Sequence, residues 1–320
     1  MNFKPIIIVA GEPNSIFFEI FLKVINKNEF KCPIILIASK NIILKQSKIL
    51  KKKISFNLIN ESDVIENQYK LKKINLINVD FKQSQAFSKI SSKSNRYISL
   101  CFDIAIKLLK KGVSNKLING PISKKTFLKK KFNGITEFLA KKTNTKKFAM
   151  IIYNKNLSVC PLTTHIPIKY VSKKINKLEI ANKVKLINKF WKEQFGKQVK
   201  IGITGLNPHC ESIDNYNEDI NIISPVIKKL KKLKYNVEGP LAADTIFLKN
   251  NRKKFDLIIG MYHDQVLTPI KTLYEYDAIN ITIGLPFIRV SPDHGPNESM
   301  LGKNKSNYLT LLYSIKFLDY

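Results

Sequence analysis

A mostly parallel α/β fold is predicted by two features of this chain together with its length. Short β-branched runs alternate with amphipathic segments through the first 120 residues, the pattern left by βαβ units. Turns of glycine, proline and polar residues then follow the predicted strands, at Gly120-Pro121, Thr163-Thr164-His165, Asn207-Pro208-His209 and Tyr262-His263-Asp264. At 320 residues the chain is long for one hydrophobic core and short for three, which favours two α/β lobes or one large domain.

In chain order, strands are predicted at Ile6–Val9, Ile34–Ala38, 54–58 and 74–79, each an apolar, β-branched run. A helical periodicity covers about 85–111. Lys116–Asn119 reads as a strand that Gly120-Pro121 ends, because neither element continues through that pair. Further strands are predicted at 148–153, 157–162, 199–204, Leu257–Gly260 and Ile279–Ile283, with helices at 178–195, 220–233 and 306–318. No internal repeat, low-complexity linker or step in composition marks a boundary.

The formal net charge of +31 invites a nucleic-acid function. Composition argues against it: Arg96, Arg252 and Arg289 are the only arginines among 55 basic residues, whereas nucleic-acid readers rely on the guanidinium fork. Lysine recurs beside Asn and Ile, all encoded by A/T-rich codons, so base bias accounts for the charge. The runs at 51–53 and 129–131 read as solvated helix faces with buried methylene stems, and the field would still steer an anionic substrate. Cys32, Cys101, Cys160 and Cys210 show no C-x-x-C spacing and read as free thiols. The apolar run 6–10 is too short for a signal-peptide core or a membrane span, so a cytoplasmic protein without membrane contact is expected.

Three of the four histidines, His165, His209 and His263, fall at strand ends, where open α/β sheets place their ligands. Neutral imidazole suits a divalent cation, and catalytic sites often combine three protein ligands with one open position. Without a compact ligand signature, the same placement suits hydrogen-bonded structural histidines equally well. Cys210, beside His209, reads as structural. Arg289 stands where lysine would have been the default, and with Lys271 it would suit a phosphate or carboxylate. The turn-rich segment 291–295 offers backbone amides to an anion. No G-x-G-x-x-G follows the first strand, so spacing alone does not yield a nicotinamide site.

Five segments occur in order: Thr-Thr-His-Ile-Pro (163–167), Gly-Leu-Asn-Pro-His (205–209), Pro-Leu-Ala-Ala-Asp-Thr (240–245), Met-Tyr-His-Asp-Gln (261–265) and Asn-Ile-Thr-Ile-Gly-Leu-Pro-Phe-Ile-Arg (280–289). Together they resemble the 4-hydroxythreonine-4-phosphate dehydrogenase family of pyridoxal 5′-phosphate biosynthesis, from Gly11 to the C-terminal helix. The resemblance implies a homodimer of two-lobed α/β/α subunits, related to isocitrate and isopropylmalate dehydrogenases, with a cleft between the lobes and an active site shared by both subunits. The first lobe would take 1–130 with 275–320 and the cofactor loop, the second 131–274 with the metal histidines and dimer contacts.

The resemblance also implies roles. His165 and His209, with His263 of the partner subunit, would hold one divalent metal, Zn, Mg or Co. Thr136, Lys271, Asn280 and Arg289 would contact a small phosphorylated substrate, Asp244 and Lys271 would serve catalysis, and His294 and Gly295 would contact NAD or NADP. The implied reaction oxidises the C3 hydroxyl of 4-phosphooxy-L-threonine and releases CO2 to give 3-amino-2-oxopropyl phosphate.

Three departures bear on substrate and cofactor. The family's Gly-His-Thr-Glu is Gly134-Ile135-Thr136-Glu137 here, which removes a donor from the anion site. The opening Gly-Glu-Pro-Ala-Gly-Ile-Gly-Pro becomes Gly11-Glu12-Pro13-Asn14-Ser15-Ile16-Phe17-Phe18, losing glycines. Asp-His-Gly-Thr-Ala becomes Asp293-His294-Gly295-Pro296-Asn297, losing a backbone donor at Pro296. A sister dehydrogenase acting on threonate or erythronate 4-phosphate is the nearest alternative. A metal-dependent hydrolase is a more distant one.

Overall fold

The computed structural model describes residues 3–128, 131–132, 134–292 and 294–320. The chain divides into two compact units, Met1–Asn144 with Leu285–Tyr320, and Thr145–Gly284. Each holds six of the twelve strands found among the described residues.

In the first unit the strands are β1 (Ile6–Val9), β2 (Ile34–Ala38), β3 (Phe56–Ile59), β4 (Ile74–Asn78), β5 (Lys116–Asn119) and β12 (Ile288–Ser291). Their order is β3-β4-β2-β1-β5-β12, and every pairing is parallel. β1 and β2 are buried along their whole length, which is why they read as unbroken apolar runs rather than alternating ones. The helices are α1 (Phe17–Ile25), α2 (Lys40–Ile49), α3 (Glu61–Ile65), α4 (Asn95–Lys110), α5 (Ile135–Lys142) and α11 (Leu309–Leu318). Phe17 and Phe18 replace family glycine and proline with core side chains: both are fully buried, and Phe17 stacks on Phe21 at 5.7 Å.

The predicted helix over 85–111 starts only at Asn95. Ser84, Ser88 and Ser91 precede it, and the Ser91 side chain accepts a hydrogen bond from the Lys93 amide. Serine competes for the backbone in this way and favours caps over helix interiors. Lys51 to Lys53 follow α2 rather than lining it, with Lys51 and Lys53 exposed. Lys129 and Lys130 lie outside the described residues.

The second unit contains β6 (Ala149–Tyr153), β7 (Ser158–Pro161), β8 (Ile201–Thr204), β9 (Val237–Leu241), β10 (Leu257–Gly260) and β11 (Ile279–Ile283). Their order is β11-β6-β7-β10-β8-β9. β6 runs antiparallel to β11 and β7, and the remaining pairs are parallel. Helices α6 (Val171–Lys174), α7 (Lys177–Phe195), α8 (Ser224–Lys232), α9 (Lys249–Arg252) and α10 (His263–Tyr274) complete it. α7 has well-marked ends: the Asn176 side chain accepts from the Glu179 amide, and Gly196 closes the helix at φ 66°.

The division falls after Asn144 and Gly284, whereas the sequence placed its boundaries at 130 and 274. Two contacts account for the difference. Phe138 of α5 packs edge-on against Phe102 and Phe127 in the first unit. β11 pairs with β6 in the second unit, from Ile279↔Tyr153 to Ile283↔Ala149. All four cysteines are free. Among the described residues no helix is long and apolar enough to cross a membrane.

Candidate active site

The second unit brings the three histidine turns to one edge of its sheet. β10 lies between β7 and β8 and is parallel to both, with Gly260 opposite Pro161 and Ile259 opposite Ile203. The three strands therefore end together, and His165, His263 and His209 follow within a few residues. This is the carboxyl end of parallel strands, where α/β sheets bind ligands.

Hydrogen bonds tie these turns to one another. The Thr163 amide and hydroxyl both donate to the Met261 carbonyl, at 3.3 and 2.8 Å. Gln265 Oε1 accepts from the Met261 amide at 2.6 Å and from Thr204 Oγ1 at 2.8 Å, while its Nε2 donates to the Gly205 carbonyl at 2.8 Å. One side chain thus joins the His209 turn to the His263 turn.

The His209 turn is also built around Asp219, which is fully buried. Its carboxylate accepts from the Leu206 and Asn207 amides and from Asn207 Nδ2, at 2.7, 3.1 and 2.9 Å. A Cβ at position 205 would lie 2.5 Å from Asp219 Oδ1 and 2.7 Å from Cys210 Sγ, so this approach requires glycine. Asp219→Ala would leave these donors unpaired and is expected to lower the unfolding free energy by about 2–4 kcal/mol, measured as a shift of the urea midpoint.

His165 and His209 adopt left-handed backbone conformations, with φ 47° and 56°, and Cys210 follows at 64°. Such conformations cost a non-glycine residue of order 1–3 kcal/mol and persist where surrounding contacts impose them. The His165 and His263 rings are 5.7 Å apart between centroids. Asp264 Oδ1 lies 2.6 Å from His263 Nδ1. His209 Nδ1 instead faces Asp244 Oδ2 at 3.8 Å. The chain thus brings His165 to His263 and His209 to Asp244. Among the described residues no three His, Cys, Asp or Glu side chains of one chain converge into a metal-holding group.

The remaining candidates divide between the units. In the second, Lys271 is half-buried on α10, and burial pulls its pKa below the usual lysine value. Asn280, on β11, has its Oδ1 buried without a hydrogen-bond partner among the described residues. In the first, Arg289 on β12 is only 2% exposed, and its Nε donates to Asn119 Oδ1 at 2.7 Å. Burial lowers its pKa to about 9, against the opposing charge of Glu137. Thr136 is buried in the first turn of α5, beside a partly exposed Ile135.

His294 Nδ1 lies 3.0 Å from the Gly295 carbonyl, and a Cβ at Gly295 would meet nothing within 4 Å. That leaves a ligand room to reach the backbone. Asp293 lies outside the described residues.

Several residues of this architecture carried no role in the sequence reading. Asp264 and Gln265 stood inside a quoted motif. Asn119 precedes the Gly120-Pro121 turn, and Asp219 had no local signal. Glu12, in the opening motif, is buried, and loss of solvent raises its carboxyl pKa although Ser94 Oγ donates to it at 2.8 Å.

Comparison with known proteins shows the family and the fold. A family profile described as pyridoxal phosphate biosynthetic protein PdxA matches residues 30–318. A 4-hydroxythreonine-4-phosphate dehydrogenase from Sulfurihydrogenibium sp. (strain YO3AOP1) is 38% identical over 93% of this chain and 92% of its own. An Oceanobacillus iheyensis relative, provisionally named a D-threonate 4-phosphate dehydrogenase, is 31% identical over 95% and 93%. The solved 4-hydroxythreonine-4-phosphate dehydrogenase from Klebsiella pneumoniae superposes with a TM-score of 0.84 at 25% identity, covering 98% of each chain.

Proposed function

The chain belongs to the PdxA family of pyridoxal phosphate biosynthetic proteins, and on that premise we propose that it oxidises 4-phosphooxy-L-threonine with NAD or NADP and decarboxylates the product to 3-amino-2-oxopropyl phosphate. The observation that carries this reading is the position of the His165 and His209 turns at the carboxyl ends of parallel strands, in a chain that the family profile matches over residues 30–318. Relatives named as dehydrogenases of this substrate support it across nearly the whole chain.

The donor set fits a divalent ion. With His263 Nδ1 engaged by Asp264, Nε2 is the ring nitrogen left for a metal, the arrangement in which a carboxylate orients a ligating imidazole. Imidazole donors suit Zn or Co better than Mg. His165, His209 and His263 would hold the ion, with His263 supplied by a second copy in a homodimer. When bound, the metal would supply Lewis-acid polarisation of a substrate oxygen and the nicotinamide would supply the hydride acceptor.

The chain's own side chains do the positioning. Arg289 and Lys271 are each a cation suited to an anionic group of the substrate. Asn280 Oδ1 accepts from a substrate N–H or O–H. Asp244 Oδ2, beside His209, is the candidate acceptor of the hydroxyl proton. His294 and the open backbone at Gly295 face the cofactor. The enzyme would act in the cytoplasm.

Lys271 gives this reading a pH signature. Its ammonium is present below the lowered pKa and is lost as pH rises through it. KM is therefore expected to rise on the alkaline side with an inflection below 10.5. Lys271→Arg should move the Lys271 inflection upward, because arginine's ordinary pKa lies well above lysine's, while any inflection that remains near 9 belongs to Arg289. Steady-state KM against pH for both proteins checks this.

A second reading is favoured by Ile135, which removes a donor from the anion site, and by the Oceanobacillus relative. It is a dehydrogenase of threonate or erythronate 4-phosphate. Comparing kcat/KM across the three substrates separates the two. The proposal expects 4-phosphooxy-L-threonine to lead, and turnover of only the amino-free acids would transfer the assignment to the sister activity.

A further inference from the structure

At the opposite ends of the same strands, where β7, β8 and β10 begin, the second unit contains a cavity of about 350 Å³. It lies away from the histidine turns, and the catalytic reading uses none of its residues. We propose that it binds a free mononucleotide.

One wall is aromatic. The Tyr153 and Phe195 rings stack at 5.8 Å with their planes 10° apart, and Trp191 lies 5.2 Å from Phe195. Phe255 adds a further ring to the lining. Tyr153 and Phe195 are only partly buried and line the cavity. Stacking on aromatic side chains is a sequence-tolerant way to hold a nucleobase, because every base has a π-face.

The rim is cationic: five lysines face a single carboxylate, Asp256. Asp256 is already engaged, accepting from Lys197 Nζ at 2.7 Å and from the Lys200 amide at 2.9 Å. Lys200 also pairs with Glu238 at 3.1 Å. Lys155, Lys253 and Lys254 have no carboxylate partner among the described residues. Their ammonium groups are point charges suited to phosphate.

Chain-wide lysine bias would account for positive charge alone. It does not account for charge ringing an aromatic wall at a cavity of ligand size. An apolar planar face with adjacent unpaired cations matches a base joined to a phosphate. A bare anion would use only the rim, and a neutral ring only the wall.

Trp191 is the single tryptophan, so intrinsic fluorescence of the full chain reports on this cavity directly. Titration with AMP is expected to give a saturable change with a midpoint below about 1 mM, or 4.1 kcal/mol of binding. The double charge reversal Lys253→Glu with Lys254→Glu, at two exposed positions, should weaken it about tenfold or more. Phe195→Leu should do the same by removing the stack. The proposal is overturned if no saturable change occurs, if the charge-reversed protein binds AMP equally well, or if inorganic phosphate gives the same midpoint. Saturation by a single-stranded oligonucleotide far below the AMP midpoint would overturn it in favour of a nucleic-acid surface.

Discussion

Asparagine in place of His209 or His165 is expected to lower kcat/KM for 4-phosphooxy-L-threonine about a thousandfold or more, equivalent to roughly 4 kcal/mol of transition-state stabilisation. Bound divalent metal should be lost in parallel, read as metal content after dialysis. Asparagine is the informative replacement because both histidines sit at positive φ. It tolerates that backbone conformation, whereas alanine would add strain of its own. Thermal stability of the metal-free protein should therefore change little. Activity within a few-fold of the parent, with metal retained, would mean that these histidines shape their turns without serving as ligands.

The second large effect concerns Arg289. Its guanidinium is almost wholly buried, and with a pKa of about 9 it is still charged at neutral pH. A desolvated cation gains more from a bound anion than an exposed one does. Arg289→Met keeps volume and removes charge. It should raise KM for the phosphorylated substrate about a hundredfold, the 2.7 kcal/mol of a charge-assisted contact, with a much smaller change in kcat. Arg289→Lys should restore little, because a single ammonium cannot both replace the Nε that donates to Asn119 and offer an anion the planar fork of the guanidinium. An unchanged KM in Arg289→Met would assign the arginine to structure through Asn119 and Glu137.

The parts of this fold that were legible share a physical cause. Strands buried on both faces in a parallel sheet need apolar, β-branched runs, so β1, β2 and β10 could be read directly, while β5 was marked by the Gly120-Pro121 turn that ends it. β9 was hidden by Gly239-Pro240, a pair that normally ends elements. α10 was hidden by an internal Pro269 and by the motif that starts it. β12 was obscured by the turn residues around Gly284 and Pro286.

Placement of the histidines at strand ends was legible for the same reason, since the strands before them were. What holds their turns in place was not. Gln265 binds the carbonyl of Gly205, 60 residues away, and Arg289 binds Asn119, 170 residues away. Sequence periodicity carries no information over such separations. The ordered motifs pointed to the family by resemblance, which no local spacing could.

The most direct test of the catalytic account is nicotinamide reduction by chelator-treated protein with 4-phosphooxy-L-threonine, before and after Zn or Co is restored. The account predicts negligible turnover without metal. After re-addition it predicts recovered reduction of NAD or NADP, with one CO2 released per nicotinamide reduced. Full turnover in the chelated protein would contradict it, as would phosphate release in the absence of nicotinamide.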